Sequence, residues 1–109
     1  MQATYTVAPP ELAFFDPGIT DVVIDRLKAT TKVSMDSHFK AYRKSPTAQA
    51  WNDLARLMFT HQQVMMLRPH QREAVARAVY GAPNYLIPRL IGQAVFGDAW
   101  ASLKPDYIV

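Results

Sequence analysis

The side chains in this sequence best suited to moving protons or holding a metal are Glu11, Glu73 and the three histidines His38, His61 and His70. General acid–base catalysis needs two titratable groups converging on one pocket. The glutamates lie in different segments, and no two histidines stand four residues apart. Asp16 and Asp98 occupy positions expected to start helices, while Asp21, Asp25 and Asp53 fall on polar helix faces. There is no HExxH pair, no Gly-rich phosphate loop and no nucleophile elbow. With no cysteine, neither a thiolate metal site nor a disulfide can form. These residues predict a protein that is not an enzyme and uses neither metal nor cofactor.

A second chemistry is phosphate recognition. The charge of +3 is unevenly placed. Residues 1–25 hold Glu11, Asp16, Asp21 and Asp25 with no Lys or Arg, for −4. Residues 26–77 hold ten Lys and Arg against Asp36, Asp53 and Glu73, for +7. Arg68, Arg72 and Arg77, with Lys40, Arg43 and Lys44, are candidates for one basic face. Residues 77–90 also admit a helix-turn-helix alignment turning at Gly81. Its second helix offers only Asn84, Arg89 and Gln93 to base edges and carries Pro83 and Pro88, so DNA binding ranks as the alternative. The acidic head and basic middle are expected mainly to pair with one another.

The strongest pattern is apolar. Trp51, Leu54, Met58 and Met65 share one helical face, and Ala55, Phe59 and Met66 widen it. Leu57, Val64 and Leu67 fall outside that line, so the segment is apolar around more of its circumference than a thin core covers. Methionine is flexible and polarizable and adapts to irregular partner surfaces. This places a protein-binding surface on Trp51, Met58, Phe59, Met65 and Met66, with Arg68 and Arg72 at its rim. The aromatic-rich ends, Phe14-Phe15 and Trp100 with Tyr107-Ile108, point the same way.

The elements that must position these groups read as helices. The first runs from about Ile19 to Lys44 with the stripe Ile24, Leu27, Thr31, Met35, Phe39 and Tyr42. β-Branched residues between Ala29 and Ser34 leave a break into two helices open. Ser45 caps and Pro46 begins the next, which reaches about Leu67. Gln71 to Tyr80 forms a third, closed by Gly81. Tyr85 to Phe96 forms a fourth, and Asp98 starts a last turn through Trp100. The expected architecture is all-α, a single domain over 1–109 of four to five helices. Residues 1–15 form an extended arm (Thr4 to Val7) or a short turn after Pro9-Pro10, and 104–109 form a tail.

The chain is 109 residues long with half its residues apolar, which suits one folded domain. No apolar stretch of about 18 residues occurs, so no membrane span is expected. Lack of cysteine and of a signal-like start make the cytoplasm the expected location. The function that follows is a small non-catalytic regulator, of the anti-activator or inhibitor kind. It binds another protein through an apolar helical face, and two copies pair through their surplus apolar surface. A helix-turn-helix-like regulator and a structural or assembly component are the alternatives.

Overall fold

Proline placement and one capping threonine divide the chain into its helices. A computed structural model describes residues 17–109. In chain order these form α1 (Pro17–Lys44), α2 (Ala48–Met65), α3 (Pro69–Val79), a 3-10 turn (Asn84–Leu86), α4 (Ile87–Phe96), a second 3-10 turn (Gly97–Ala99) and the single turn α5 (Trp100–Leu103). The described residues contain no strand, so they form an all-α bundle. The expected arm at Thr4–Val7, the turn after Pro9-Pro10 and the cap at Asp16 lie outside the described residues.

α1 is continuous for 28 residues. The threonines that threatened to break it are absorbed by its own backbone: the Thr30 hydroxyl donates to Arg26 O at 2.8 Å and the Thr31 hydroxyl to Leu27 O at 2.6 Å. Such back-bonding lets a β-branched hydroxyl residue sit inside a helix. The link to α2 differs from the expected Ser45 cap. Ser45 N–H still bonds to Ala41 O, which extends the α1 ladder, and Thr47 caps α2 instead, accepting from Ala50 N–H at 3.0 Å. α2 therefore starts two residues later, and it ends at Met65 rather than Leu67.

α3 begins with Pro69 at its first turn, where the missing N–H costs nothing. Gln71 secures that end by accepting from Arg68 N–H at 3.0 Å. Gly81 closes α3 with φ +75°, a left-handed conformation that only glycine adopts freely. The fourth helix starts at Ile87, because residues 84–86 tighten into a 3-10 turn first.

Two packed clusters hold these helices. The larger joins Ile24 and Leu27 of α1, Val64 of α2, Val75, Ala76 and Val79 of α3, and Ile91 of α4. The smaller joins Phe59 of α2 to Trp100 and Ile108, with Phe96 and Tyr107 against it. The tail of residues 104–109 folds back onto the bundle. Ile108 is buried, Arg56 donates to Tyr107 O at 3.3 Å, and Lys104 Nζ donates to Ile108 O at 2.7 Å. The apolar C-terminal residues cover the chain's own α2, which removes Trp100 and Ile108 from the surplus assigned to a partner.

α1 and α2 run antiparallel, pinned at two heights. Near the core, the Thr31 hydroxyl meets His61 Nδ1 at 2.8 Å. Its single proton goes to Leu27 O, so Nδ1 must carry the proton it donates to Thr31. Near the tip, the rings of Tyr42 and Trp51 lie 5.6 Å apart. Thr31→Val should cost about 1–2 kcal/mol in urea unfolding, because it leaves the His61 N–H without its acceptor. Thr31→Ser should lose less than half of that.

Candidate docking face

A helix of 28 residues is about 42 Å long, whereas α3 and α4, with 11 and 10 residues, reach about 16 Å each. The short helices cover only the first half of α1. Along its expected stripe, Ile24, Leu27 and Thr31 are buried, but Met35 and Tyr42 are half-buried and Phe39 is 49% exposed. Among the described residues the far half of α1 packs on α2 alone, so the α1–α2 hairpin presents an apolar tip.

On α2, positions 51, 58 and 65 recur every seven residues and drift only about 20° per step, so they form a line along the helix. Trp51, Met58, Met65 and the adjoining Met66 are 47%, 45%, 56% and 65% exposed. Five large apolar side chains at about half exposure, counting Phe39, leave on the order of 500 Å² uncovered, taking about 150–250 Å² for each whole side chain. That equals the upper range of the largest patch on an ordinary monomer.

Phe59 does not belong to this line. It is buried, with its ring 5.9 Å from that of Trp100, because the folded-back C-terminus covers that side of α2. Arg72 is not a free rim charge either. It pairs with Asp21 at 2.7 Å and ties α3 to α1, the expected pairing of acidic head with basic middle. Arg68 is exposed beside Met66. Val64, read from the sequence as surplus, is buried in the larger cluster, and Leu67 packs against it.

Two concavities border the hairpin. The smaller, of about 290 Å³, lies at the tip between Met35, Phe39 and Tyr42 of α1 and Trp51, Leu54 and Met58 of α2. Asp36 stands at its edge, held by Lys32 at 2.6 Å. Arg43 lies over the Phe39 ring, 5.8 Å from its centre. Lys40, Arg43 and Lys44 follow on the last turns of α1, all exposed and in no ion pair among the described residues. The larger concavity, of about 1340 Å³, runs along another side of α1 and is lined there by Gly18, Val22, Val23 and, from α2, Leu57.

The six cations proposed as one basic face are divided. Arg72 pairs with Asp21, near the start of α1, while Lys40 to Lys44 sit about 30 Å further along that helix. Arg77 pairs with Glu73 at 2.8 Å. α4, the would-be recognition helix, has Ile91 and Gly92 buried and, of its ten residues, Gln93 alone exposed. A base-reading helix needs several side chains standing free on one side.

The titratable residues remain scattered. His61 is taken by Thr31, His38 Nδ1 lies 2.9 Å from Ser34 O within α1, and His70 is exposed on α3. No group of three His, Cys, Asp or Glu converges among the described residues. No helix of the described residues is long and apolar enough to cross a membrane. Comparison with protein-family models, with characterised proteins and with solved structures finds no match for this chain.

Sequence reasoning placed Met35, Phe39 and Tyr42 on one stripe with Ile24 and Leu27 and did not separate their place at the tip from the buried half. The available signal was length: the third and fourth helical segments are too short to cover the first.

Proposed function

We propose that this chain is a non-catalytic regulatory protein of the cytoplasm that binds another protein through its α1–α2 hairpin and blocks that protein's activity or assembly. The observation carrying this reading is the exposed line Trp51, Met58, Met65 and Met66, flanked by Phe39 and Tyr42. Apolar surface of this extent is costly to leave in water, and these four side chains belong to neither buried cluster. A few long or aromatic anchors dominate affinity at such interfaces, while rim charges such as Arg68 steer encounter. Inhibition would be steric: the surface supporting this reading is apolar, and it would act by occupying the target's own contact surface.

Without its target, two copies hide the same line against each other. Light scattering should therefore give a mass above 12.3 kDa at high micromolar concentration. Met58→Asp should return it to the monomer mass. A native chain that stays at the monomer mass throughout would refute this pairing. The wider reading is tested by capture from host extract, comparing the native chain with Met58→Asp/Met65→Asp.

A further inference from the structure

The hairpin tip differs chemically from the rest of the face. Beyond it lie Lys40, Arg43 and Lys44, none of which pairs with a carboxylate of the described residues. The nearby Asp36 is neutralised by Lys32. The hollow of about 290 Å³ is walled by side chains that are almost wholly apolar, and the rings of Trp51 and Tyr42 are tilted at 55° to one another. It has room for one large side chain rather than an extended ligand.

We propose that this tip groove receives an aromatic side chain of an acidic segment of another protein, whose carboxylates meet Lys40, Arg43 and Lys44. The inference rests on the reading that the hairpin binds protein, and it specifies the partner's chemistry. An aromatic ring in the groove would cover Phe39, Trp51 and Met58 at once. Carboxylates one or two turns from that ring would meet the three cations, which lie one, four and five positions past Phe39 at the end of α1.

Two other occupants fit less well. Stacked nucleobases also favour aromatics beside cations. A base, however, carries hydrogen-bonding groups around its whole edge, and burying these against Met35, Leu54 and Met58 leaves them unpaired. The tilted rings also offer no flat platform. The chain's own acidic–aromatic residues, Glu11 to Asp16, cannot reach the tip of the same molecule. Glu11 lies six residues before Pro17 and spans at most about 21 Å, whereas Met35 is about 27 Å along α1 and Lys40 about 35 Å.

The test uses the full chain and three synthetic helical peptides: one with a central Phe flanked by four Glu, one with Lys replacing Glu, and one with Ala replacing Phe. Emission of the half-exposed Trp51 reports the tip, because Trp100 is buried. The acidic Phe peptide should bind at least tenfold tighter than either control and shift the emission to the blue. Lys40→Glu/Arg43→Glu should reverse the preference between the acidic and basic peptides. Lys40→Gln/Arg43→Gln should abolish it, and both variants should keep the native helical dichroism.

A preference that survives charge reversal, equal affinity for all three peptides, or no binding up to millimolar concentration would each overturn the assignment. So would tighter binding of single-stranded oligothymidine than of the acidic peptide. If Met58→Asp/Met65→Asp still abolishes capture of a host protein in those cases, the hairpin remains a docking face and only the partner's chemistry has been misassigned.

Discussion

Trp100→Ala should destabilise the protein by about 3–5 kcal/mol, the range for removing a large buried aromatic. The ring joins three separate parts of the chain. It lies 5.9 Å from Phe59 of α2 and is stacked 6.1 Å from Phe96 of α4, with Ile108 in the same cluster. It also lies against Gly92, so closely that a Cβ at that position would collide with the indole. Folded domains of this size have only about 5–15 kcal/mol to lose, so the variant should sit near the edge of folding. The C-terminal residues should detach before the rest, since their anchor is gone. Chemical denaturation followed by far-ultraviolet dichroism gives the magnitude. A loss below about 1 kcal/mol would mean that the smaller cluster contributes little.

The second large effect is on binding. Met58→Asp combined with Met65→Asp should weaken partner capture at least about 30-fold, the equivalent of one hot-spot residue at about 2 kcal/mol. The same pair should cost the fold only about 1 kcal/mol. Both side chains already stand half in water, and aspartate is a modestly poorer helix former than methionine. The contrast with Trp100→Ala is the informative part. One substitution removes stability through a buried contact, and the other removes recognition while leaving the fold in place. Paired measurements of thermal midpoint and capture separate the two.

Much of this arrangement could be read from residue types. Proline and glycine marked the helix ends because they act locally: Pro69 opens α3, Gly81 closes it at positive φ, and Gly97 ends α4. Thr47 displaced Ser45 as the cap of α2 because Ser45 still belongs to the hydrogen-bond ladder of α1, a competition that sequence spacing does not display. Periodicity correctly found an apolar line on α2, yet it could not tell which flank the chain itself would cover. Phe59 and Met58 are neighbours of equal hydrophobic weight. The packing of Trp100 and the returning C-terminal residues puts the first inside and leaves the second out. The same long-range packing explains Arg72: its partner Asp21 is 51 residues away. The Thr31–His61 contact, spanning 30 residues, was equally invisible.

The central claim, that the outer line of the hairpin serves recognition rather than folding, is tested most directly by immobilising the native chain and the Met58→Asp/Met65→Asp chain in parallel on host extract. Each is also melted by circular dichroism. A protein held in near-stoichiometric amount by the native chain and lost from the variant, with thermal midpoints only a few degrees apart, is the predicted result. A variant that retains the same proteins as the native chain, or one that has lost its helical structure, would contradict the claim.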